Sequence, residues 1–330
     1  MEKDFILVVD DKEENRAAAQ AYLHSAGLDG VVASDYVEAK AVLDSGAHID
    51  GVITDCFFPE ETGSGRKDLG RQTIEHILAG AYGGKLEQAA GIKSKEESID
   101  DALTTFGQVV TLGDSPDDRL SFLLHNYLAY CVKDEEYNPE EDRLLNSIRH
   151  MSGSFGPDKA AEHLLETLAS ASIYDEAPHT NVRQYDELHY VSRMSYGLRK
   201  PLEVSESDQP LGVVVAEEAA ARGIPTIIVS SAYHHATNMQ PIGDYIGKRR
   251  EEAESAGKRL GWEIMADMDP SLSSQQIGKD NPRAWASAYE GLLLEAHLPA
   301  GDEGWQKYHR RKEALQKGET LSLRALREAE

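Results

Sequence analysis

Asp10 and Asp11 close the apolar run Ile6-Leu7-Val8-Val9, and Asp55 closes a second run, Gly51-Val52-Ile53-Thr54. Carboxylates gathered at such ends repel one another unless a cation joins them. A hard, oxygen-preferring ion such as Mg²⁺ suits that role.

The elements around these residues are expected to bring them together. Both runs are short and β-branched, as strands buried in a parallel sheet are. Residues 5–10 read as a strand and Asn15 to Ser25 as a helix ended by Gly27. Gly30 to Ser34 reads as a strand, Tyr36 to Leu43 as a helix, and Gly51 to Asp55 as a third strand. Alternation at these lengths implies a parallel sheet with helices on both faces. In such sheets ligands sit at the carboxyl ends of the strands, where the three acids fall.

The rhythm breaks between Glu60 and Asp208. Helices are expected at 68–79, 116–133, 139–151 and 157–173. Ser115-Pro116-Asp117-Asp118 combines a cap residue, a proline and first-turn acid. A stretch of roughly 150 residues exceeds any ordinary loop. It reads as a mainly helical insertion that enters after Asp55 and leaves before Gly212, and is expected to lie over Asp55.

These residues resemble the receiver domain of two-component response regulators. Asp10 and Asp11 match the family's acidic pair, Asp55 its phosphorylated aspartate, and Pro59 the proline four residues later. Pro210 to Ala232 is similar to its third helix and fourth strand, with Ser231-Ala232 where the family has Thr/Ser-Ala. The resemblance implies a doubly wound, five-stranded, flavodoxin-like α/β domain built from residues 1–59 and 209–298. The insertion spans 60–208 and a charged C-terminal tail 299–330, with one helix from Leu321 to Ala329. It also implies that Asp55 accepts phosphate while Asp10, Asp11, Asp55 and the Phe57 carbonyl hold Mg²⁺. Ser231 would contact the phosphoryl group and carry the switch. The expected partners are a histidine kinase or phosphotransfer protein, and a protein bound through the insertion.

The family's phosphate-pairing lysine follows its fifth strand. If that strand is Trp262 to Ala266, Asp269-Pro270 stands where Lys-Pro belongs; if it is Asp244 to Lys248, Lys248 is the candidate. The charged, helix-forming stretch from Tyr245 to Leu260 favours the first. An aspartate in place of the lysine would weaken phosphorylation. The alternative function is therefore a degenerate receiver that binds proteins without taking phosphate. A third reading rests on Asp10-Asp11 followed by Glu14-Asn15, which resembles haloacid dehalogenase-like phosphatases. Asp55 is followed by Cys56 and Phe57, however, so that family's second acid is missing. A self-phosphorylating receiver is expected rather than a turnover enzyme.

The net charge of -24 over 330 residues disfavours nucleic acid. Lys248-Arg249-Arg250 is followed at once by Glu251-Glu252. Cys56 and Cys131 are too few for a disulfide framework or a structural zinc site. His234-His235 lacks a third ligand at metal spacing and reads as a solvated or capping pair. No apolar run reaches the ~20 residues that span a bilayer. The chain enters its first strand directly, so a cytoplasmic protein without a signal peptide is expected.

Overall fold

The computed structural model describes residues 3–90, 149–150, 152–154, 156, 159, 182–231, 239–265 and 278–328. Five strands form one parallel sheet in the order β2-β1-β3-β4-β5. They are β1 (Phe5–Val9), β2 (Asp29–Ala33), β3 (Gly51–Asp55), β4 (Thr226–Val229) and β5 (Trp262–Met265). The fold is the flavodoxin-like, doubly wound α/β sheet. The fifth strand is the Trp262 segment; Asp244 to Lys248 lies instead in a helix.

Alternate strand residues build two cores, as the period of two requires. On one face Ile6, Val8, Ile53, Ile227 and Val229 pack with α1 (Glu13–Ala26) and α8 (Pro282–Glu295). On the other, Leu7, Val9 and Val52 pack with α2 (Tyr36–Asp44) and α6 (Leu211–Ala221). Each fully buried aliphatic side chain contributes about 1.5–3 kcal/mol. The chain turns in opposite directions from β1 to β2 and from β1 to β3, so a crevice opens beyond Val9 and Asp55.

The chain divides into two compact units, residues 1–84 with 197–330, and residues 85–196. Helix α3 (Asp68–Tyr82) belongs to the sheet-bearing unit, where it packs on α7 (Gln240–Ser255). Gly80 permits that approach, since a Cβ there would sit 2.5 Å from the Tyr245 ring. Helices α4 (Gly84–Ala89) and α5 (Val182–Val204) fall within the stretch expected to be inserted. The two ends of that stretch are fastened by Gln209, which is fully buried. Its Nε2 donates to the carbonyls of Arg66 and Glu206, and its Oε1 accepts from the Gly70 N–H. The helices expected at 116–133, 139–151 and 157–173 lie wholly or largely outside the described residues.

From Pro299 onward, where the sequence reads as a charged tail with one helix, there are two helices. They are α9 (Asp302–Gln316) and α10 (Leu323–Glu328). Leu323 enters the core, and buried Asp4 accepts from the Ser322 hydroxyl and the N–H groups of Leu323 and Arg324. Buried Asp50 adds ion pairs to Arg324 and Arg327, so two buried acids from the first fifty residues hold the charged stretch. No described helix is long and apolar enough to cross a membrane.

Candidate functional site

Strand register puts the acids side by side. Val9 pairs with Thr54, so Asp10 and Asp55 leave adjacent strands at the same level. Carboxylate oxygens of Asp10, Asp11 and Asp55 lie within 4.8 Å of one another. Asp10 is fully buried and accepts from the Lys12 N–H at 3.0 Å and from Asn15 Nδ2 at 3.0 and 3.2 Å. Arg16 donates to the carbonyls of Asp10 and Asp11, which fixes the turn into α1. Asp11 is half-buried; burial raises its pKa against a hydrogen bond from Ser207, and the Asp10 charge adds to the rise.

The side chain that sequence reading missed is Lys279. Its ammonium is 3% exposed and lies 2.8 Å from Asp10 Oδ2 and 2.6 Å from Asp55 Oδ2. Burial would lower its pKa, but Asp55 and Asp10 outweigh that and raise it, so the lysine is charged. Asp55 is pushed up to about 6, chiefly by burial, with Lys279 pulling down and Asp10 pushing up. Its Oδ1 accepts from the Cys56 N–H at 2.6 Å.

Lys279 reaches the site from the turn before α8. The Asn281 N–H bonds the Gly278 carbonyl, the Asn281 side chain caps the helix, and Pro282 occupies its first turn. Trp285, itself in the core, donates from Nε1 to the Lys279 carbonyl at 2.7 Å. Gly278-Lys279-Asp280-Asn281-Pro282 is legible as a helix start. Its lysine stands fourteen residues beyond the end of β5, too far along the chain for strand spacing to mark it.

Lys248 is not part of this cluster: it is exposed on α7. The helix Gln240–Ser255 buries Ile242, Tyr245 and Ile246 and leaves Lys248 on its exposed face. Asp269, His234 and His235 lie outside the described residues. Ser231 is half-buried two residues past Val229, which pairs with Asp55. The preceding Ser230 points its hydroxyl at Met239 Sδ. Phe57 is half-buried at the exit from β3. Gly212 makes the closest approach: its N–H bonds the Cys56 carbonyl, and a Cβ would lie 2.0 Å from the Asp55 carbonyl oxygen.

Three carboxylates facing one ammonium leave two negative charges, the complement of one divalent cation. The donors are all oxygen, as hard cations prefer. This buried cluster could therefore hold a metal ion. No protein-family model matches the chain, and no curated protein or solved structure is significantly similar to it.

Proposed function

We propose that this protein is a receiver-type phosphoacceptor in which Asp55 takes a phosphoryl group from a partner histidine kinase or phosphotransfer protein. The observation that carries this reading is Lys279, whose buried ammonium bridges Asp10 and Asp55. The receiver resemblance calls for such a cation, and in this reading Lys279 takes that role in place of Lys248 or position 269. Asp10, Asp11, Asp55 and the Phe57 carbonyl would hold Mg²⁺. The ion supplies charge neutralisation for the incoming phosphoryl oxygens.

In this reading the Asp55 carboxylate attacks phosphorus as the donor's P–N bond breaks. No proton need leave Asp55, because the Lys279 ammonium 2.6 Å away favours its ionised form. Lys279 exchanges its Asp55 contact for a phosphoryl oxygen, and the Ser231 hydroxyl donates to another. Segment 205–210, which meets Asp11 through Ser207, and the insertion it closes would respond to the new charge.

One observation favours a second reading. The Asp55 side chain is only 9% exposed and already neutralised by Lys279, which suits a degenerate receiver that binds proteins without taking phosphate. The two separate by intact mass after incubation with Mg²⁺ and acetyl phosphate, beside Asp55→Ala. The first reading expects an added phosphoryl mass that vanishes in the variant. An unchanged mass in both supports the second. Steady turnover of a phosphomonoester would instead revive the phosphatase reading.

A further inference from the structure

A second candidate site lies at the opposite end of the sheet. A cavity of about 630 Å³ opens where the chain enters β4 and β5, among the loops before those strands and the connection from α8 to α9. That volume falls in the range of small-molecule sites. Its apolar lining includes Ile224, Leu260 and Leu298. Its charged lining is Lys258, Arg259 and Lys307 against a single carboxylate, Glu295, with His297 beside them. In a chain of net charge -24, a cavity lined three to one by cations runs against the composition.

The cations are not all consumed by neighbours. Arg259 pairs with Glu295 at 2.6 Å and Lys307 with Glu303 at 3.3 Å, whereas Lys258 has no ion-pair partner among the described residues. His297 holds φ at 51°, the one non-glycine residue with positive φ among those described. Strained backbone of this kind persists where surrounding structure demands it and clusters at ligand sites. The close approach of Gly304 to the Pro299 carbonyl, 2.0 Å from a would-be Cβ, brings α9 and its Lys307 against the opening.

We infer that this cavity binds a small organic anion, a carboxylate or phosphate on an apolar body, with the body against Ile224, Leu260 and Leu298. Lys258 and Lys307 meet the anion, and the Arg259 guanidinium shares itself between the ligand and Glu295. The inference is independent of the phosphoacceptor reading, because nothing in it involves Asp55.

The test is calorimetric titration of the full chain with naphthoate and naphthyl phosphate, beside the neutral naphthamide. At least one anion should saturate at one site below about 1 mM, with naphthamide at least about ten-fold weaker. Lys258→Glu and Lys307→Gln, both surface changes checked by thermal melting, should each weaken the anion about ten-fold. Asp55→Ala should leave it unchanged. Saturation by neither anion, equal affinity for naphthamide, undiminished binding in both folded variants, or loss in Asp55→Ala would each overturn the assignment.

Discussion

The Trp285 indole N–H donates to the Lys279 carbonyl at 2.7 Å, so a core residue of α8 fixes the backbone that carries the buried ammonium. Hydrophobic packing and site chemistry meet in that bond. Trp285→Phe keeps most of the apolar body but leaves the Lys279 carbonyl without this donor. A loss of about 2 kcal/mol is expected in urea unfolding. The metal-induced rise in Tm should grow in the same variant, since the lysine is no longer held against Asp10 and Asp55 and competes less with Mg²⁺ for them.

Lys279→Met strips the cation from two buried carboxylates. Breaking a buried pair in this way costs about 3–5 kcal/mol. Added Mg²⁺ should restore part of that loss, so the metal-induced rise in Tm should be larger than in the parent chain. Lys248→Met, on the exposed face of α7, should leave both quantities unchanged.

Mg²⁺ itself should stabilise the parent chain, by about 2.7 kcal/mol at a hundred-fold excess over Kd. Asp11→Asn removes the half-buried carboxylate without disturbing the Lys279 contacts, and should abolish most of that gain. Differential scanning calorimetry with and without the ion reads both. Equal metal stabilisation in the variant would remove Asp11 from the ligand set.

Much of this site is legible in the sequence, for a local reason. Asp10 and Asp55 each end an apolar run, and a parallel register puts the ends of β1 and β3 together without further information. Lys279 is different. It stands fourteen residues after Met265, set by a helix start and a tryptophan contact rather than by strand spacing. The docking of α10 was illegible for a similar reason. Nothing local marks Asp4 as buried, because its partners at Ser322 and Leu323 lie more than three hundred residues away.

Asp4 also sets an acid limit on stability. Burial pushes its carboxyl up, but hydrogen bonds from Tyr289, Ser322, Leu323 and Arg324 outweigh that and hold it below the ordinary 3.8. A depressed folded-state value stabilises above the unfolded pKa and is lost as pH falls through the folded one. Stability should therefore drop on acidification below about pH 4, and Asp4→Asn should flatten that part of the curve. An unchanged acid limb in the variant would show that other carboxylates set it.

Gly212→Ala tests how tightly α6 must approach β3. The added methyl would collide with the Asp55 carbonyl oxygen, which is backbone and yields little. A cost of about 1–3 kcal/mol is expected, with the strand exit displaced. Stability within a few tenths of a kcal/mol of the parent would mean that α6 is free to slide.

The central claim is that Asp55 becomes an acyl phosphate. Borohydride reduction after treatment with Mg²⁺ and acetyl phosphate converts an aspartyl phosphate into homoserine, which peptide mapping locates directly. Homoserine at position 55, absent without Mg²⁺ and absent in Lys279→Met, is the predicted result. Homoserine elsewhere, or none while beryllofluoride also leaves Tm unmoved, would contradict it.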